Sequence, residues 1–213
     1  MTGPSAPALL ELMDWKRRVA ALYAEVRAGG PGAEVAGRFR AGRDALFAGH
    51  PQSPLPPDAR SGFAGARWFP YRDALRVEAA LEPEADGPAM ELPVSTGAPA
   101  RFRRIGRVEV DLAGAPARLP VFWLEGYGGG LFLPFRDALA GRGTYGGGRY
   151  LLDTVKGADL GTSADGARLV LDFNYAYNPS CAYDPRWSCP LAPLESRLTV
   201  AVEAGEGAPA GRP

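Results

Sequence analysis

The chain has a single histidine and two cysteines, and His50, Cys181 and Cys189 together could ligate a zinc ion. Asp184, Asp172 or water would fill the fourth position. Seven residues separate the cysteines and no CxxC pair exists, so the standard ligand spacing is missing. The expectation is therefore no cofactor, with zinc on His50, Cys181 and Cys189 as the alternative. Three other readings of the thiols stay open. Cys181 follows the turn-forming run Asn178-Pro179-Ser180 and would act as a nucleophile if His50 or Arg186 lowered its pKa. Otherwise the thiols are packed as small hydrophobes, or form a disulfide that closes the 181–189 loop. One histidine makes bis-histidine haem ligation within the chain impossible.

Proton-transfer chemistry needs an acid and a base whose pKa values are pushed apart. His50, Asp137 and Asp172 are the candidates for it, and Glu206 is a further carboxylate of the same kind. Arg136 and Arg149 would hold a carboxylate or other oxyanion in a bidentate fork. Arg149 follows three glycines in TYGGGRY (144–150), where bare backbone N–H groups can approach a ligand. The run is neither a GxxxxGK[ST] loop nor a GxGxxG turn. The competing reading is a glycine-rich hairpin with Arg149 paired to Asp137 or Asp172. Tyr145, Asn174, Asn178 and Tyr183 have the side chains to orient a substrate, although most aromatic residues belong to cores. A last alternative makes the polar run around Asn174 a hydrogen-bonded clamp under a long loop.

These residues sit in a chain of 213 residues with 46% hydrophobic and 23% charged residues, the composition of an ordinary folded domain. Formal net charge is zero, so no global field draws it to nucleic acid or an anionic membrane. The bases are nearly all arginine, in keeping with the many Ala, Gly and Pro residues of a GC-rich coding bias. No apolar run reaches 18 residues and the N-terminus lacks a secretory pattern. The expected setting is the cytoplasm, with a small-molecule ligand, no nucleic acid, no membrane, and a homodimer left open.

Residues 7–28 carry Leu9, Leu12, Trp15, Val19, Leu22 and Val26 at helical spacing, and Gly29, Gly30 and Pro31 stop the pattern. Residues 33–48 repeat it with Val35, Phe39 and Leu46. The proline-rich stretch 50–62 reads as a loop. From residue 63 the period becomes two: 75–81, 107–112, 119–123, 169–173 and 198–202, with shorter strands near 90–94, 131–135 and 150–155. The AGAPA run predicts a hairpin with a five-residue loop. The expectation is one domain over 7–206, with unstructured ends at 1–6 and 207–213. Its class is mainly β: an antiparallel sandwich or barrel-like sheet with two N-terminal helices.

HPQSPL (50–55), FAGARWFPY (63–71), LPFRDALAGRGTYGGGRYL (133–151) and DFNYAYNPSCAYDPRWSCPLAP with the closing AVEAGE (172–206) resemble the blocks of the domain of unknown function 1684 family of bacteria and archaea. The resemblance spans roughly residues 12–206. It implies no activity, since the family's chemistry is not established. The chain departs from the family pattern at Leu139, Ala140, Gly143 and Ser196, where polar residues are usual. If those positions line a pocket, the pocket here is more apolar and suits a different ligand. The expected function is an acid/base enzyme of lyase, isomerase, cyclase or hydrolase type, acting on a carboxylate- or oxygen-rich molecule, in specialised biosynthesis. A non-catalytic binding protein and a zinc protein are the alternatives.

Overall fold

In a computed structural model, which describes residues 5–84, 89–95 and 99–210, the chain begins with helices α1 (Ala6–Gly29) and α2 (Ala33–Gly49). Ser5 caps α1: its Oγ accepts from the Ala8 amide at 3.4 Å, and Pro7 in the first turn needs no hydrogen bond there. Gly30, at φ 73°, ends it. The helices approach closely at Gly42, where a Cβ would stand 2.5 Å from Leu22 Cδ2. Of the expected α1 stripe Val19 and Val26 are buried, with Tyr23 beside them, Trp15 and Leu22 are half-buried, and Leu9 and Leu12 are exposed.

The rest is antiparallel sheet. The strands are β1 (Arg76–Ala79), β2 (Leu81–Pro83), β3 (Met90–Leu92), β4 (Ala100–Asp111), β5 (Pro116–Leu124), β6 (Gly130–Phe135), β7 (Arg149–Asp153) and β8 (Leu169–Asp172). A six-stranded sheet runs β2-β4-β5-β6-β7, with β3 also on β4; β1 and β8 form a separate pair. Among the described residues the path β2-β4-β5-β6-β7 does not close on itself. The β4–β5 hairpin pairs Asp111 with Pro116, which leaves a loop of 112–115, one residue shorter than expected. Ala113 and Gly114 turn it with positive φ.

The middle of the large sheet is buried on both faces. Leu119, Val121, Leu133 and Phe135 face a core shared with Ala79 and Leu171 of the small sheet and with Leu75 just before it. Phe102, Phe122, Phe132 and Tyr150 face a second core under the helices, with Val19, Tyr23, Phe39, Tyr175 and Tyr177. The two-residue alternation of the sequence therefore sorts side chains between two cores rather than between core and solvent.

The strand expected at 198–202 is absent. Leu198 N donates to Arg136 O at 2.9 Å and Ala138 N to Val200 O at 3.0 Å, but the Val202 amide goes to the Asp137 carboxylate at 2.9 Å. A side chain intercepts the ladder. At the end of the chain, Gly207 N and Ala208 N donate to Arg67 O and Gly143 O at 2.8 and 2.9 Å, so this part of the expected free end is tied down. Residues 1–4 and 211–213 of the expected unstructured ends lie outside the described residues.

Candidate functional site

Most of the polar residues singled out by sequence bind the chain to itself. Arg149, at the start of β7, is 1% exposed and sends Nη1 to Ala204 O and Glu206 O and Nη2 to Val202 O. Asp137 Oδ1 stands 3.6 Å from Arg149 Nη2 and accepts from Thr144 Oγ1 at 2.6 Å. Burial pulls the Arg149 guanidinium down to about 10, with Asp137 and Glu206 resisting. Its donors on Nη1 and Nη2 hold the 202–206 segment, so an incoming oxyanion would have to displace backbone carbonyls. The preceding glycines serve the same packing: a Cβ on Gly148, at φ 93°, would meet Phe135 O and Ala192 Cβ at 2.7 Å. Arg136 enters this segment through its backbone, donating to Ser196 O at 3.0 Å.

Glu206 lies at the centre of the clamp, fully buried. Its Oε1 accepts from Arg43 Nε at 2.5 Å, and its Oε2 accepts from Asn178 N at 2.7 Å and Tyr183 Oη at 3.0 Å. Arg43 comes from the inner face of α2, with the rings of Phe47 and Tyr177 at 4.6 and 4.9 Å. Burial opposes its charge, but Glu206 raises its pKa above the ordinary arginine value. Asn178 Nδ2 donates to Gly207 O at 2.8 Å. Asn178 and Tyr183, read from sequence as substrate ligands, thus bind the chain's own end. Sequence reading missed Arg43. The signal was there: Val35, Phe39, Arg43 and Leu46 share one helical stripe, and a charge on an apolar stripe needs a buried partner.

His50 is the C-cap of α2. Its Nδ1 accepts from Gln52 N at 3.0 Å, which leaves the proton on Nε2, 3.3 Å from Asp14 Oδ2. It lies at one end of a groove of about 720 Å³ along α1 and α2. The groove is lined by Ala21, Leu22, Gly42 and Ala45 as well as Glu11, Asp14 and Arg18, and both histidine nitrogens are engaged. Among the described residues no three His, Cys, Asp or Glu side chains stand together to hold a metal. The cysteines lie elsewhere, buried, beside Ser95 and Tyr145.

Asp172 has a different setting. It ends β8, and its Oδ1 accepts from Asn174 N at 3.0 Å and Asn174 Nδ2 at 2.7 Å. Asn174 in turn grips the backbone of Arg72 in both directions, accepting from its N–H at 2.8 Å and donating to its C=O at 2.9 Å. Asn174 therefore positions the carboxylate. Asp172 lines a cleft of about 420 Å³ between the end of α1, the β1–β8 pair and the 160–164 loop. Burial pushes its carboxyl above the ordinary range, while the Asn174 bonds and Arg76 pull the other way. Tyr175, also on the cleft and 2% exposed, has a buried hydroxyl with no partner. Burial, followed by the charge of Asp172, raises Tyr175 and keeps its proton on. Arg27 and Arg76 line the same cleft with partly exposed side chains. This volume is within the range of small-molecule sites, and an acid raised by burial in a cleft is a candidate for proton transfer. The structure places His50, Asp137 and Asp172 in three separate settings with separate partners. Tyr175, Arg27 and Arg76 were not singled out as site residues by sequence.

A family model described as a protein of unknown function, DUF1684, matches residues 61–207. No curated protein matches. Among solved structures, the chain is similar to the solution NMR structure of the uncharacterized protein from gene locus rrnAC0354 of Haloarcula marismortui. The two are 34% identical; the likeness covers 80% of this chain and 91% of that one, with a TM-score of 0.58.

Proposed function

From the premise that the chain belongs to the DUF1684 family, we propose that it is a small-molecule enzyme that moves a proton with Asp172. The observation that carries this reading is the Asp172 carboxyl, raised by burial, on a 420 Å³ cleft beside the unpartnered hydroxyl of Tyr175. Asp172 is the base, or the acid once protonated. Tyr175 donates a hydrogen bond to the oxygen that gains charge, a role served by its retained proton. Arg76, with Arg27 near it, attracts a substrate carboxylate. Substrates of this kind are carboxylic acids with an acidic C–H or a leaving group beside an oxygen, and the reaction class is elimination, isomerisation or cyclisation. No helix among the described residues is long and apolar enough to cross a membrane.

The test needs no knowledge of the product. A panel of small oxo- and hydroxy-carboxylic acids is screened for binding by NMR. Those that bind are incubated with the protein in D₂O, and exchange of the C–H next to the carbonyl is followed. The proposal expects catalysed exchange that Asp172→Asn removes while binding remains. Binding with no exchange by the natural chain supports the second reading, a non-catalytic binding protein using the same cleft. No binding to the cleft by any acid overturns both.

A further inference from the structure

Cys181 and Cys189 take no part in the cleft. The one-turn 3-10 helix Ser180–Ala182 carries Cys181, and the chain returns with Cys189 beside it. The two residues are in direct contact. Cys181 N also donates to Cys189 Sγ at 3.4 Å, and Tyr145 Oη lies 3.8 Å from Cys181 Sγ. Ser95 holds the pair from the other side, its Oγ accepting from Cys189 N at 3.0 Å and donating to Trp187 O at 2.9 Å. The bond from Cys181 N to Cys189 Sγ already closes the 181–189 loop and sets the Cys189 sulfur against Cys181.

We propose that Cys181 and Cys189 form a modification site, a dithiol that a hydroperoxide converts to an intramolecular disulfide. The Cys181 thiolate attacks one oxygen of hydrogen peroxide. The O–O bond breaks, hydroxide leaves and takes up a proton as water, and Cys181 becomes the sulfenic acid. The Cys189 sulfur then attacks Cys181 Sγ, the S–O bond breaks, and the hydroxyl leaves as water with the Cys189 proton. Two electrons pass from the pair of thiols to peroxide. The environment sets the order of attack: the hydrogen bond from Cys189, with Ser95 and Tyr145, holds Cys181 below the usual thiol range, and the same bond, with burial, pushes Cys189 up.

The experiment uses the full chain, reduced and then freed of reductant. It is treated with a few equivalents of hydrogen peroxide, and the remaining thiols are alkylated before intact-mass and tryptic analysis. The expected result is loss of both titratable thiols, a decrease of about 2 Da, and full recovery with dithiothreitol. Trypsin cuts after Arg186, between the cysteines, so the disulfide must hold two peptides together. Cys189→Ser should leave a sulfenic acid on Cys181 that dimedone traps, and Cys181→Ser should give no dimedone adduct on Cys189. The proposal is overturned if both thiols survive peroxide while methionines are oxidised. Linkage between separate chains, or oxidation that occurs only in urea, overturns it equally.

Discussion

Replacing Glu206 by Gln tests the clamp with almost no change of shape. Glu206 presents two oxygens to three donors: Arg43 Nε at one, Asn178 N and Tyr183 Oη at the other. A glutamine has one oxygen. If it faces Asn178 and Tyr183, its NH₂ group points at the Arg43 N–H, donor against donor. If it faces Arg43, the NH₂ group meets the Asn178 N–H instead. Either way a buried donor loses its acceptor, and the Arg43 charge stays buried without a counter-ion. Breaking a buried ion pair from one side costs about 3–5 kcal/mol. For a chain of this length each kcal/mol lowers Tm by about 2–4 °C, so a fall of about 6–20 °C is expected. Urea unfolding gives the free energy directly. A double-mutant cycle with Arg43→Met isolates the pair and should return a coupling of about 2–3 kcal/mol. If Glu206→Gln unfolds within about 0.5 kcal/mol of the natural chain, the buried pair does not hold the end of the chain and the reasoning is wrong.

Other expectations follow from the same contacts. Asp172→Asn should raise Tm at pH 7, because a carboxyl raised by burial contributes stability only below its unfolded pKa of about 3.9 and loses it as pH rises through the folded value. Asn keeps an oxygen for Asn174, so melts from pH 7 down to about 4 should show the advantage shrink; an advantage independent of pH contradicts the raised carboxyl. Gly205→Ala should lose about 1–3 kcal/mol in urea unfolding, since Gly205 has φ 73° and its Cβ would come within 2.4 Å of Ala176 O. Arg149→Met frees the carbonyls of Val202, Ala204 and Glu206. Hydrogen exchange of the Val202 and Glu206 amides should then quicken well before that of the β4–β5 hairpin, and equal quickening everywhere speaks against a local clamp.

The two helices were legible because their apolar spacing is long and ends in glycine and proline, and the observed bounds fall within a residue of those expected. The class, mainly β with two N-terminal helices, was legible from the change of period after residue 63. Periodicity reports burial, however, and not pairing. Leu198 and Val202 are buried as the pattern promised, yet Asp137 takes the amide that a strand would have used. Leu9 fits a helical stripe and is exposed, because the inner packing of α1 begins further along. The sites were less legible because their contacts are distant in sequence. Arg43 and Glu206 are 163 positions apart, and Arg72 and Asn174 are 102 apart. Sequence marks Arg149, Asp137, Asn178 and Tyr183 as polar residues in dense blocks, and the same residue types serve a ligand or a clamp. Only the partners separate the two uses: Arg149 and Asn178 donate to backbone carbonyls of 202–207, Tyr183 donates to Glu206, and Asp137 accepts from Thr144 and the Val202 amide.

The account depends most on Asp172 as an acid poised for proton transfer. The direct measurement is a carboxyl-carbon NMR titration of aspartate-labelled protein, with Asp172→Asn to assign the signal, alone and with a small carboxylic acid that binds. The account predicts an Asp172 midpoint above the ordinary aspartate range and a further shift when the acid occupies the cleft. A midpoint at or below that range, unmoved by any bound acid, would contradict it.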